Sequence, residues 1–132
     1  MIRRNVFESP CLTSRYQFSE GIISIDPEIP RPDPEHPFHR NIRIEDNEFH
    51  PFDYPVLYAK SVRGLVFSNN RLIRSRDFEP FHTRQATVTL DACREVRIDG
   101  NRFEGDVLGR NIVLERTGAG DVTIGPDQGW KR

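Results

Sequence analysis

The sequence predicts an all-β fold, a right-handed parallel β-helix of about four to five coils, and three observations carry that reading. An Asn-x-apolar tripeptide recurs as Asn5-Val6-Phe7, Asn47-Glu48-Phe49, Asn70-Arg71-Leu72 and Asn101-Arg102-Phe103. Each of the last three follows a run with apolar residues at every second position: Ile42 and Ile44, Leu65 and Phe67, Val96 and Ile98. Such alternation puts one set of side chains on one face of a strand. A second short strand then precedes each run, at Ile23-Ser24-Ile25-Asp26, Leu57-Tyr58-Ala59-Lys60, Val88-Thr89-Leu90-Asp91 and Ile112-Val113-Leu114-Glu115. Repetition of one strand-and-turn unit marks a solenoid, whose units bury their apolar faces only against neighbours.

Taken in order, each unit reads as strand, tight corner, strand, Asn-x-Phe corner, and a loop of variable length. The corners are residues 61–64, 92–95 and 117–121, and the first unit carries a proline-rich insertion from residue 27 to about 40. Stacked coils would place the asparagines above one another in a hydrogen-bonded ladder, with Phe7, Phe49, Leu72 and Phe103 stacked inside. An antiparallel sandwich of short strands also suits the Gly and Pro punctuation, but in-register asparagines favour the helix.

The 132 residues fit one β-helix domain, 1–132. Nineteen Lys and Arg balance twenty Asp and Glu, giving a formal charge of −1 with the signs interspersed. No field for gripping a nucleic-acid backbone results, so no nucleic-acid partner is expected. No stretch is long or apolar enough to span a bilayer, and Met1-Ile2-Arg3-Arg4 does not read as a signal peptide. Cys11 and Cys93 lack metal-ligand spacing and read as free thiols.

Ile2-Arg3-Arg4-Asn5 aligns with Ile44-Glu45-Asp46-Asn47, so the chain is expected to start inside a strand. That start suggests the C-terminal piece of a longer solenoid, truncated at its N-terminal end. An open first rung would favour self-association. At the other end Gly118, Gly120, Gly125 and Gly129 loosen the last unit, and Trp130 is placed to close its core.

The segments Cys11-Leu12-Thr13-Ser14-Arg15-Tyr16-Gln17-Phe18, residues 41–55 (with Asn47-Glu48-Phe49-His50-Pro51-Phe52-Asp53-Tyr54-Pro55) and Phe103-Glu104-Gly105-Asp106-Val107-Leu108-Gly109 resemble the C-terminal part of glycoside hydrolase family 110. The resemblance implies a parallel β-helix section of an exo-acting, inverting α-1,3-galactosidase, with no metal and no cofactor. It further implies a galactose-containing glycan as partner, and a secreted or periplasmic parent. The family's catalytic carboxylates match no motif here, so the chain alone is expected to be inert or weakly active. A non-catalytic solenoid module, for glycan binding or oligomer assembly, is the alternative.

The residues themselves offer candidates. Carbohydrate sites on such folds are built from loops that leave the corners. The loops after Phe7, Phe49 and Leu72 supply Tyr16 and Glu20; His50, Asp53 and Tyr54; and Asp77, Glu79, His82 and Arg84. Inversion needs two carboxyl groups about 6.5–9.5 Å apart, and coils stack at about 4.8 Å. Glu20, Asp53 and Glu79 are therefore admissible as an acid–base set, as any acidic loop pair would be. Tyr16, His50, Tyr54, His82 and Arg84 are the sugar-binding candidates, with Phe52 and Arg15 beside them. Three x-Pro-Phe-x tetrapeptides, His36-Pro37-Phe38-His39, His50-Pro51-Phe52-Asp53 and Glu79-Pro80-Phe81-His82, carry groups able to ligate zinc. The plainer reading is that Pro stiffens each loop and Phe pins it to the flank.

Overall fold

The computed structural model describes residues 1–8, 21–51, 55–76, 86–105, 107, 110–125 and 129–130. The first coil holds β1 (Ile2–Arg3), β2 (Val6–Glu8) and β3 (Ile23–Ile25), and the second holds β4 (His39–Glu45), β5 (Glu48–His50) and β6 (Leu57–Lys60). The third holds β7 (Val62–Ser68), β8 (Arg71–Ile73) and β9 (Val88–Asp91); the fourth holds β10 (Arg94–Asp99), β11 (Arg102–Glu104) and β12 (Ile112–Glu115). A fifth coil contributes β13 (Val122–Ile124), after a single 3-10 turn at Ala119–Asp121. The strands stack into three sheets: A (β1-β4-β7-β10-β13), B (β2-β5-β8-β11) and C (β3-β6-β9-β12).

Every pairing is parallel, and matching positions lie in register. Ile2, Ile44, Phe67, Ile98 and Ile124 form one column of sheet A. Phe7, Phe49, Leu72 and Phe103 form one column of sheet B. The fold is thus a parallel β-helix, whose inward columns make one core including Ile44, Phe49, Leu57, Phe67, Leu72 and Val88. Phe49 stacks between Phe7 at 4.9 Å and Phe67 at 6.0 Å. Trp130 meets Phe103 of the fourth coil edge-on at 5.0 Å and packs, partly buried, against the core. Among the described residues no helix is long and apolar enough to cross a membrane.

The asparagine ladder forms as the repeat requires. Asn47 Oδ1 accepts from Asn5 N and Nδ2 at 3.0 and 3.2 Å. Asn70 Oδ1 accepts from Asn47 N and Nδ2 at 3.0 and 3.1 Å, and Asn101 Oδ1 from Asn70 N and Nδ2, both at 3.0 Å. The second amide proton of Asn47 and of Asn70 goes to the Ile2 and Ile44 carbonyls one coil back, and Asn101 Nδ2 donates likewise to Phe67 O. Side chains thereby satisfy the backbone at a corner that turns away from the ladder, where buried polar groups must find partners. The residue before each asparagine adopts a left-handed φ: Arg4, Asp46, Asn69 and Gly100. Two further left-handed columns run through the helix, Ser61, Ala92 and Arg116 at the C-to-A corner, and Asn41, Gly64 and Glu95 within sheet A.

Three expectations are corrected. The Asn-x-Phe unit is not a corner but a strand, so each full coil has three sheets; three residues are too few to show alternation, and only the copies above and below supply their ladder bonds. The corners at 61–64 and 92–95 shrink, because β7 starts at Val62 and β10 at Arg94, with Gly64 and Glu95 bending the strands from within. The proline-rich insertion ends before residue 39, where pairing with Val62 draws His39 and Arg40 into β4.

Candidate functional site

All four B-to-C connections leave the same border of the solenoid, since β2, β5, β8 and β11 lie in one sheet and β3, β6, β9 and β12 in another. Their roots are tied coil to coil. Ile22 N donates to Pro55 O, Val56 N to Thr87 O, Ser75 N to Pro51 O and Arg74 N to Glu104 O, at 2.9–3.0 Å. The sequence-derived candidates belong to these connections. Tyr16, Glu20, Asp53, Tyr54, Glu79, His82 and Arg84 lie outside the described residues, as do Cys11, Arg15, Phe52 and Phe81. His50 lies inside them.

His50 ends β5 with its ring on the outer face of sheet B, where Nε2 meets Glu48 Oε2 at 2.8 Å. The other Glu48 oxygen accepts from Arg71 Nη1 at 2.7 Å, and Arg71 reaches on to both oxygens of Glu104 at 3.0 and 3.1 Å. Outward alternation on β5, β8 and β11 strings these charges across three coils. The His50 hydrogen bond, aided by the His50 and Arg71 charges, holds Glu48 below the usual carboxylate range despite some desolvation. An ionised carboxylate so held cannot donate a proton at neutral pH, so Glu48 is no general acid; it orients His50 at the foot of the loop border.

Sheet C presents a second polar surface. Tyr58 and Thr89 share a register column, and Lys60 and Asp91 share another. Alternation points all four away from the core residues Leu57, Ala59, Val88 and Leu90. Yet Tyr58 is only 9% exposed, Thr89 2% and Asp91 1%. Asp91 takes the Arg116 guanidinium in a two-pronged grip, Nε to Oδ1 at 2.7 Å and Nη2 to Oδ2 at 2.5 Å. This pairing raises the arginine's pKa further. Lys60 Nζ stands 3.6 Å from Asp26 Oδ1. The outward face of sheet C thus carries buried hydroxyls and paired charges, between the B-to-C connections on one side and residues 27–38 on the other. Sequence reasoning missed Tyr58, Thr89 and Asp91. Their signal was the polar alternate position in Leu57-Tyr58-Ala59-Lys60 and Val88-Thr89-Leu90-Asp91, which reads equally well as solvated surface.

Cys93 is a free thiol sealed in the core, its Sγ donating to the Ala59 carbonyl at 3.3 Å. Burial pushes its pKa up, so it is held protonated and shielded. Among the described residues no three His, Cys, Asp or Glu side chains gather as a metal cage. In the first x-Pro-Phe-x motif, His36 Nδ1 pairs with Asp33 Oδ2 at 2.9 Å and the His39 ring meets Phe38 edge-on at 5.1 Å.

No family model matches the chain. Curated relatives do. The alpha-1,3-galactosidase B of Bacteroides thetaiotaomicron is 53% identical over 131 residues, covering 99% of this chain and 21% of that protein. The alpha-1,3-galactosidase A of Bacteroides fragilis is 43% identical over 95 residues, covering 72% and 16%. The alpha-1,3-galactosidase B of Phocaeicola vulgatus is 44% identical over 112 residues, covering 79% and 18%. The chain spans about a fifth of the length of the relatives it matches.

Proposed function

The chain belongs with the alpha-1,3-galactosidases of glycoside hydrolase family 110, as a section of their length, and from that premise we propose that it forms one wall of a galactoside-binding cleft. The parent is an exo-acting, inverting enzyme on galactose-containing glycans, and this chain is its C-terminal β-helix section. The observation that carries the reading is the border between sheets B and C. Four connections leave it, three of them bearing the candidate carboxylates and aromatics, beside the buried Tyr58, Thr89 and Asp91 of sheet C.

Concave, largely preformed sites with a few fixed polar groups are where sugars bind. The two-pronged Asp91–Arg116 pair and the tied loop roots supply that rigidity. Glu20, Asp53 and Glu79 occupy three successive B-to-C connections, so coil spacing of about 4.8 Å admits an inverting pair among them. The family's own carboxylates matched no motif in this chain, which makes the isolated chain inert or weakly active. Family membership also supports a secreted or periplasmic location for the parent.

The test is hydrolysis of a galactosyl-α-1,3-galactose disaccharide by this chain and by the longer protein containing it. Activity in the longer protein with none in the chain is the expected result. Robust activity in the chain, abolished by Asp53→Ala or Glu20→Ala, would instead assign a complete local site. Silence in both, with glycan binding retained, would make this a binding module.

A further inference from the structure

Resting on the galactoside reading above, we propose that Phe38 is a stacking platform for a sugar ring of a galactose-containing oligosaccharide, set across sheet C from the B-to-C connections. The plainer expectation for His36-Pro37-Phe38-His39 was a phenyl ring pinned to the solenoid. Phe38 is instead 63% exposed. A lone exposed apolar side chain is ordinary on a protein surface; Phe38 differs in how firmly it is presented.

Its backbone N–H donates to Ser61 Oγ at 2.8 Å and to Ser61 O at 3.1 Å, and Ser61 is fully buried. The His39 ring braces the phenyl edge-on at 5.1 Å, with an interplanar angle of 73°. The preceding turn is locked by Asp33, which accepts from Glu35 N at 3.0 Å through Oδ1 and from His36 N at 3.0 Å through its carbonyl. Glu35 then ties the segment to the fourth coil through Arg94 Nη1 at 2.6 Å. Residues 27–38 are thus a strap across the C-to-A corner, fastened at the third and fourth coils, that holds an aromatic face toward solvent.

Among the described residues Phe38 is the aromatic member of the large exposed apolar side chains, the others being Met1, Val6, Leu114 and Ile124. A flat, apolar, pre-positioned face suits the CH face of a pyranose, and rigidity lowers the entropy lost on binding. Arg40, exposed and two residues along, can donate to ring hydroxyls. The four residues of a sheet C strand span about 13 Å at 3.3 Å per residue. A glycan seated at the loop border would therefore reach Phe38 with a sugar beyond the terminal one.

Titration calorimetry on the protein with methyl α-galactoside and with a galactose-terminated trisaccharide tests this. Phe38→Ala should weaken the trisaccharide tenfold or more and leave methyl α-galactoside unchanged, while Phe38→Tyr keeps both affinities. An unchanged melting temperature for Phe38→Ala, expected from its exposure, removes misfolding as the cause. Equal trisaccharide affinity in Phe38→Ala and the unaltered protein overturns the platform and leaves the galactoside reading standing. Failure of the unaltered protein to bind either sugar also overturns the platform, while the galactoside reading stands or falls on hydrolysis by the longer protein.

Discussion

Asn70 shows how one side chain can serve three coils. Its oxygen accepts two bonds from Asn47 and its amide donates to Ile44 O and Asn101 Oδ1, all without exposure to solvent. Asn70→Ala strands buried partners on both sides, and at about 1–3 kcal/mol for a buried group left unsatisfied, urea unfolding should show a loss of roughly 3 kcal/mol. Asn70→Asp keeps the shape but replaces donors by acceptors facing two carbonyl oxygens, and should be no better tolerated. Glycines allow a sharper comparison. Gly100 has φ of +69°, and a Cβ there would lie 2.2 Å from Asn69 Oδ1; Gly120 has nothing within 4 Å. Gly100→Ala should cost about 1–2 kcal/mol from left-handed strain, after its exposed neighbour swings aside, whereas Gly120→Ala should be near neutral by the same assay. The ladder residues were legible from sequence because their spacing repeats. The left-handed Ala92, Glu95 and Arg116 were not, since nothing in those residue types favours φ above zero.

At the scale of elements, the outer face of sheet B, the strap and sheet A share one electrostatic property. Glu48, Asp33 and Glu95 all have pKa values lowered in the fold, chiefly by hydrogen bonds from His50, His36 and Arg63 respectively. A depressed carboxylate contributes stability above its unfolded pKa and loses it as pH falls through the folded value. Melting temperature should therefore be flat near neutrality with respect to these groups and decline below about pH 4.5, the ordinary value for glutamate. Glu48→Gln should make the acid branch shallower while leaving its shape at higher pH; an unchanged acid branch would refute the assignment. The strands of sheets A and C were readable from alternation, whereas sheet B was not. Its strands are only three residues long, and Glu48, Arg71 and Glu104 acquire a shared purpose only when the coils stack.

Across this chain taken by itself, stability should follow position along the axis, because the strands of each coil stack only on those of its neighbours. Ile44, Phe49, Leu72 and Ile98 in the middle coils are sealed, while Ile2, Phe7, Phe103 and Val122 toward the ends are only partly buried. Amide hydrogen exchange should be slowest in β4, β7 and β10 and markedly faster in β1 and β13, with the terminal coils opening below the global transition. Uniform protection would contradict a nearest-neighbour solenoid. The candidate site was legible only as a set of loops. Tyr16, Glu20, Asp53, Tyr54, Glu79, His82 and Arg84 were chosen by chemistry and loop position, and of the binding candidates His50 alone received a geometry, as the partner of Glu48.

By itself the sequence determined the coil, its register and its asparagine column, because a period repeated four times is local information that survives without coordinates. Its closeness to the galactosidases is likewise written in the residues. Tertiary structure alone decided that each coil has three sheets, that Tyr58, Thr89 and Asp91 are buried on an outward face, and that Phe38 stands out from its strap. Those properties depend on which segments lie over a surface, and burial is a relation between distant residues that no single window of sequence contains.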